Sequence, residues 1–197
     1  MSAAAALQRL DWLRRTTDLY AAVRSEHRPR TAHGGWAAVR DELYASHPAS
    51  PAGHGHTGFL VPDHDPAWRA VVRLEEAEPH RIVLPSSADR VAPFDRVGVL
   101  RTPWGVLDAW QCAAYGSGLW IPVRDAGSGS ASFGGGRYLY DTANGADLGS
   151  SPDGELVVDL NFLYAPACAH DPRELSPLPP PGNRLDVVVP VGELLSR

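Results

Sequence analysis

The sequence contains no lysine, although 18 arginines occur among its 197 residues. A lysine Schiff base and the lysine of a phosphate-binding P-loop are therefore excluded as chemistries of this chain. Cysteine is also scarce, because Cys112 and Cys168 are the only two. Two cysteines are too few for a disulfide scaffold in a chain of this length. We expect free thiols, with a single bridge between the two as the alternative.

A surplus of positive charge and a long apolar run are missing as well. The formal net charge is −5, whereas a protein that neutralises phosphates needs a basic face. Asp11, Arg14 and Arg15 interrupt the first apolar segment well before the roughly 18 residues of a membrane span. No cationic stretch precedes the initial alanines, as it would in a signal peptide. We therefore expect a cytoplasmic protein without nucleic-acid or membrane partners.

Hydrophobic residues are present in the proportion expected of a globular protein, at 44% against 21% charged residues. A chain of this length can bury roughly 70% of its unfolded surface. We expect a single folding unit. Within it, residues 1–46 form a helical element packed on the core, and residues 47–197 form a β domain.

Apolar residues recur at helical spacing over residues 7–24 and again over 35–45, which predicts two amphipathic helices. The apolar face of the first helix comprises Leu10, Leu13, Tyr20 and Val23. In the second helix the predicted inner face is Trp36, Val39 and Leu43, and the predicted outer residues are Arg40, Asp41 and Glu42. Gly34 and Gly35 are expected to separate the two helices.

Beyond the glycine-rich loop that ends at Gly58, the hydrophobic period changes to two. Alternation over residues 68–75 predicts a strand with one apolar face. Further strands are predicted at 81–84, 96–100, 106–112, 119–123, 137–141, 156–162 and 186–191. No helical pattern lies between them to serve as a crossover, so the strands should be antiparallel. The expected fold is mainly β, a barrel-like antiparallel domain with two amino-terminal helices.

A glycine-rich segment leads into the most prominent candidate for ligand binding. Three consecutive glycines at 134–136 precede Arg137, and consecutive glycines allow a ligand to approach the main chain closely. A guanidinium in that place could hold a carboxylate or phosphate through paired hydrogen bonds. The alternative is a hairpin in which Arg137 forms a structural pair with Asp125, Asp141 or Asp147.

A second candidate lies on the predicted strand 156–162. Asp159 and Asn161 alternate with apolar residues and therefore share one face of that strand. If this face lines an interior, Asp159 could serve as a general acid or base. If it faces water, both residues are ordinary surface groups, and the sequence leaves the two interpretations open.

Other reactive side chains give weaker signals. Cys168 and His170 are two residues apart, but the apolar surroundings of Cys168 predict an inert, buried thiol rather than a nucleophile. His54 and His56 lie in a glycine-rich loop, with His64 further on, and no further metal ligand is evident. We expect solvated histidines and no metal site, and the sequence identifies no cofactor.

Several segments resemble one known family. Residues 122–139, 141–149, 159–184 and 191–193 are similar to the domain-of-unknown-function 1684 family of bacterial and archaeal proteins. The chain departs from the family pattern at several polar positions. Here Ala131, Ser132 and Phe133 stand for glutamate, threonine and tyrosine, Ala165 for asparagine, His170 for tyrosine, Ser176 for cysteine and Gly182 for glutamate. The resemblance implies which positions matter but implies no reaction.

These observations lead to one main functional hypothesis. We expect a small-molecule site, for an anionic ligand, in the barrel or at its mouth. Its predicted lining is Asp125, Arg137, Tyr138, Asp159, Asn161 and Tyr164. Arg137 would hold the anion, and Asp159 would be the acid or base if the protein is an enzyme. The alternative is a non-catalytic scaffold that uses residues 53–58 or 177–181 as its contact surface, and a homo-oligomer is compatible with either function.

Overall fold

The computed structural model describes residues 2–87, 90–113 and 117–195. The chain begins with two helices, α1 (Ala3–Ser25) and α2 (Pro29–Ser46). The Ser2 hydroxyl accepts a hydrogen bond from the Ala5 amide at 3.2 Å and so caps α1. Proline at the start of α2 suits a first helical turn, where its missing amide has no partner to lose. Neither helix in the described residues is long and apolar enough to cross a membrane.

The expected helix break at Gly34 and Gly35 is wrong, because both glycines lie inside α2. A glycine in a helix costs only about 1 kcal/mol relative to alanine, which the packing of the neighbouring Trp36 outweighs. Trp36 is fully buried, and its indole donates to the Tyr20 hydroxyl of α1 at 3.2 Å. The two helices separate instead just before Pro29.

The face that α2 buries also differs from the prediction. Val39 is 41% exposed, whereas Arg40, which was expected to point to water, is buried. The physical reason is an ion pair between Arg40 and Glu193, which lies far along the chain. In α1, Tyr20 is buried as expected but Leu10 is 41% exposed.

Within the described residues, eight strands follow the helices, and all pairings between these strands are antiparallel. They are β1 (Arg69–Val72), β2 (Leu74–Glu75), β3 (Arg81–Ser87), β4 (Arg90–Thr102), β5 (Gly105–Cys112), β6 (Leu119–Val123), β7 (Arg137–Asp141) and β8 (Leu156–Asp159). The larger sheet has the order β2-β4-β5-β6-β7, with β3 also paired to the long β4, and β1 and β8 form a separate two-stranded sheet. The mainly antiparallel β fold with two amino-terminal helices is thus confirmed. The barrel-like closure is not confirmed, because no closed barrel is detected among the described strands.

Three predicted strand segments differ from the structure. The strand predicted over residues 68–75 is divided at Arg73 into β1 and β2, which belong to different sheets. Residues 186–191 are irregular, and the carbonyls of Val189 and Val191 accept hydrogen bonds from Arg137 instead of from a neighbouring strand. The predicted strand 156–162 ends at Asp159, whose carboxylate accepts from the Asn161 amide and turns the chain into a 3-10 helix. This turn brings Asp159 and Asn161 into the interior.

The helices and the sheets share one hydrophobic core. Leu19, Tyr20 and Trp36 of the helices belong to the same buried cluster as Leu107 of β5 and Val158 of β8. Because α2 packs next to the turn that follows β8, the end of β8 is enclosed by helical residues. This packing determines where the cavities of the molecule lie.

Candidate functional site

Arg137, the first predicted ligand contact, is completely buried. Its Nη2 donates to Asp125 Oδ2 at 2.9 Å and to the Val189 carbonyl at 3.1 Å. Its Nη1 donates to the Glu193 carbonyl at 3.2 Å and also to the Val191 carbonyl. Burial lowers the pKa of Arg137, and the Asp125 carboxylate opposes this shift. The geometry is that of a structural ion pair that fastens the segment 189–193 to β7, and a ligand would have to break these bonds to reach the guanidinium.

Asp125 is held as firmly as its partner. Its Oδ1 accepts from the Gly127 amide at 2.7 Å and from the Val189 amide at 3.3 Å. The carboxylate therefore closes the turn at Gly127 and leaves no oxygen facing an open space. Asp125 and Arg137 come together as predicted for the structural alternative.

Tyr138 and Tyr164 form a second group among the predicted residues. Their main chains exchange two hydrogen bonds of 2.8 and 3.1 Å, and their ring centroids lie 5.8 Å apart. The Tyr138 hydroxyl donates to the Pro177 carbonyl. Burial raises the pKa of both hydroxyls well above the ordinary value, so both stay protonated. The contacts of these tyrosines are those of core packing.

Asp159 and Asn161 form the third group, and both are buried. Asp159 Oδ1 accepts from the side-chain amide of Asn161 at 2.7 Å. Asp159 Oδ2 lies 3.2 Å from His64 Nε2 and 3.6 Å from Arg69 Nε. Arg69 and Asp159 are direct partners in the register of β1 and β8, which explains their proximity.

Asn161 connects this group to the loop before β1 and to α2. Its side chain donates to the Asp65 carbonyl and accepts from the Asp65 amide, both at 2.9 Å. The Asn161 carbonyl lies 3.0 Å from His33 Nε2. Burial lowers the pKa of His33, so its ring is neutral at pH 7 and Nε2 carries the donated proton. The network is thus anchored on three sides.

A cavity of about 560 Å³ opens beside this network, and we call it the Arg69 cavity. Its polar wall consists of Arg24, Glu26, His27, Arg69, Asp147, Ser150 and Asp159. Arg24 is partly engaged, because its Nη1 donates to the Asp147 carbonyl at 2.7 Å. The Arg69 side chain is 35% exposed, and its 3.6 Å approach to Asp159 is longer than a hydrogen bond. Arg69 therefore keeps its guanidinium donors unused among the described residues, whereas Arg24 has already committed one nitrogen.

A second cavity, of about 380 Å³, is lined by a different set of residues, and we call it the His170 cavity. Phe133, Ala165 and His170 all line it. These are three of the positions at which the chain departs from the pattern of the family that it resembles. A phenyl ring, a methyl group and an imidazole thus line a wall where that pattern has two phenols and an amide.

Sequence reasoning missed His64 and Arg69 as members of the Asp159 network. His64 was expected to be solvated but is buried, so that prediction is wrong. The His56 side chain is only 6% exposed, and its Nε2 lies 2.7 Å from Asp41 Oδ1, so the prediction of a solvated histidine is wrong there as well. Arg69 could have been identified from the pairing of β1 with β8. The alternation of apolar and polar residues does not by itself indicate which strands pair.

The remaining reactive groups stand as follows. Cys112 and Cys168 are free thiols, both half-buried. Within the described ranges, no three side chains of histidine, cysteine, aspartate or glutamate gather as metal ligands. The side chain of His54 lies outside the described part of the structure.

The comparisons with known proteins agree with the fold. None of the curated proteins matches this chain. The solution NMR structure of an uncharacterized protein from Haloarcula marismortui is similar, with a TM-score of 0.56 and 27% identity, over 84% of this chain and 93% of that one. The family described as "Protein of unknown function (DUF1684)" matches residues 55–194. Because this match spans most of the chain and agrees with the resemblance in the sequence, the protein belongs to the DUF1684 family.

Proposed function

We propose that the protein binds a small anionic ligand, a carboxylate or phosphate, in the Arg69 cavity. The observation that carries this proposal is the state of Arg69, a partly exposed guanidinium in a cavity wall whose nearest carboxylate among the described residues, Asp159, is too distant for a hydrogen bond. An arginine presents its donors in a planar fork that matches two oxygens of an anion. The anion contact is therefore assigned to Arg69 rather than to the buried Arg137.

Asp159 serves in this proposal to orient Arg69 and His64. Its Oδ1 is occupied by Asn161, and its Oδ2 faces both His64 and Arg69. A carboxylate held in this way keeps the Arg69 guanidinium in place, while the outer edge of the guanidinium remains available to the ligand. If the ligand undergoes a reaction, Asp159 is the candidate acid or base, because its carboxylate lies in the wall of the Arg69 cavity.

The proposal includes the cytoplasm as the location, and the two free thiols support it, since thiols persist in reducing compartments. The alternative function is a non-catalytic scaffold. Leu175 and Leu178, exposed by 44% and 49%, support a contact surface beside residues 177–181. Native mass spectrometry distinguishes the two functions, because a scaffold would show a defined oligomer and no retained small molecule.

Calorimetric titration with inorganic phosphate and with succinate tests the main proposal. The test variant is Arg69→Gln, and Arg73→Gln is the matched control, because Arg73 is an exposed arginine just beyond the end of β1. We expect Arg69→Gln to weaken binding of the preferred anion at least about tenfold, a loss of roughly 1.4 kcal/mol. Arg73→Gln should bind like the unmodified protein.

Two results would overturn the proposal. One is the absence of saturable binding of either anion up to about 10 mM, and the other is equal weakening in both variants. The variant Asp159→Asn is a second test of the same site, because it removes the carboxylate charge that orients Arg69. Thermal melts of each variant without ligand show whether a loss of binding comes from unfolding.

A further inference from the structure

The His170 cavity has a different chemistry from the Arg69 cavity. It lies between the loop 52–60, the segment 165–170 and residues 193–195. Its wall combines polar and apolar groups, with Phe59, Phe133 and Leu194 among the larger apolar side chains. Such a wall suits an organic molecule that has both an apolar body and a polar group.

The charged groups next to this cavity neutralise each other. Glu193 is buried and forms an ion pair with Arg40, and it also accepts from the Ala165 amide at 2.7 Å. The Arg40 guanidinium lies 4.5 Å from the ring centre of Tyr44 and 4.6 Å from that of Tyr164. Both charges are therefore satisfied within the protein, and the cavity offers no spare cation to an anion.

His170 is a polar group of this wall whose Nε2 is buried without a hydrogen-bond partner among the described residues. Nδ1 is not among the buried nitrogens that lack a partner, and His170 as a residue is half-buried. Nδ1 is therefore the ring nitrogen that we consider for contact with a ligand. Burial lowers the pKa of His170 to about 4, with Arg40 and His56 acting in the same direction and Glu193 opposing them. At pH 7 the ring is neutral and carries one donor and one acceptor nitrogen.

We propose that the His170 cavity is a second ligand site, which binds a small neutral molecule with an apolar or aromatic body and one hydroxyl group. The hydroxyl group bonds to Nδ1 of His170, since Nε2 is buried, and it can do so with either tautomer, because a hydroxyl both donates and accepts. The apolar body contacts Phe59 and Phe133. A volume of about 380 Å³ is within the range of ordinary small-molecule sites. This site is independent of the anion site.

Fluorine NMR with two matched probes tests the inference, since 4-fluorophenol and fluorobenzene differ only in the hydroxyl group. The ratio of their affinities is measured for the unmodified protein and for His170→Phe. We expect the ratio to fall about three- to tenfold in the variant, which is the usual net value of one hydrogen bond. Comparing ratios removes the difference in hydrophobicity between the probes. An unchanged ratio would overturn the assignment of the hydroxyl to His170.

Two leucine variants locate the site without removing His170. Ala169 lines the cavity, whereas Ala167 belongs to the same 3-10 helix but not to the wall. Ala169→Leu should abolish binding of 4-fluorophenol, and Ala167→Leu should leave it unchanged. Absence of saturable binding up to about 10 mM, or tighter binding of 4-fluorobenzoate than of 4-fluorophenol, would overturn the inference. Arg69→Gln should not alter binding of 4-fluorophenol, so the two sites can fail separately.

Discussion

Arg137 and Arg69 have the same local setting but different surroundings. Each is the first residue of a strand, and each lies beside a buried carboxylate, Asp125 or Asp159. The Arg137 side chain is inaccessible and donates to four acceptors, whereas the Arg69 side chain is 35% exposed and meets its carboxylate at 3.6 Å. The comparison teaches that the number of donors already used decides whether an arginine holds the fold or can hold a ligand.

The largest expected effect is that of Arg137→Met, which leaves the Asp125 carboxylate buried without its charged partner. Removing one member of a buried ion pair costs about 3–5 kcal/mol. We expect the free energy of unfolding, measured by urea denaturation, to fall by that amount. A loss below about 1 kcal/mol would mean that Arg137 is not structural and would remove its contrast with Arg69.

Glu193→Gln is expected to have the next largest effect. The variant keeps an acceptor for the Ala165 amide but leaves the Arg40 charge buried without its counterion. We expect a loss of about 2–3 kcal/mol in the free energy of unfolding, from the same urea titration. The outcome extends the comparison to a second buried arginine. A neutral result would place Arg40 with Arg69 among the arginines whose charge needs no protein partner.

A smaller effect is expected in the pH dependence of stability. His170 is the histidine tested, and the exposed His80 is its control. The pKa of His170 is about 4 in the folded protein and near 6.5 in the unfolded chain. Between these values only the unfolded chain takes up the proton, so stability falls as the pH drops from about 6.5 to about 4. We expect a contribution of about 1–2 kcal/mol, reduced because the ring is partly exposed.

Urea midpoints measured from pH 4 to pH 7 provide the measurement. His170→Phe should flatten the profile relative to the unmodified protein, and His80→Phe should leave its slope as it was. The contribution of His33, whose pKa burial also lowers, is common to all three proteins and cancels. Equal slopes for all three would contradict the prediction.

The smallest expected effect is that of Arg69→Met on stability. A partly exposed pair at 3.6 Å contributes about 0–1 kcal/mol. The free energy of unfolding should therefore change by less than about 1 kcal/mol, in contrast to Arg137→Met. A loss as large as that of Arg137→Met would show that Arg69 is part of the scaffold, and it would weaken the assignment of Arg69 to a ligand.

The elements themselves were largely predictable from local patterns, and the strand 137–141 was predicted with its observed bounds. Groups whose environment depends on distant partners were not predictable. Arg40 is buried because of Glu193, which is 153 residues away. Residues 186–191 have a strand-like composition, yet their carbonyls bind Arg137.

The same limit applies to the candidate site. The sequence identified Asp159 and Asn161 as a pair on one face of the predicted strand 156–162. It left open whether that face is buried or exposed to solvent. Their burial follows from the turn after β8 and from the loop at Asp65, which Asn161 binds through its side chain. The alternation of apolar and polar residues in the sequence indicates neither contact.

The pairing of β1 with β8 has a consequence for how the molecule folds. His64 and Asp159 are 95 residues apart in the chain, and the register Arg69↔Asp159 is set only when β1 and β8 meet. Closing so long a loop has an entropic cost, so we expect this contact to form late in folding. A ligand bound at Arg69 would hold the two strands together, and slower amide hydrogen exchange in β1 and β8 would report its presence even before its chemical identity is known.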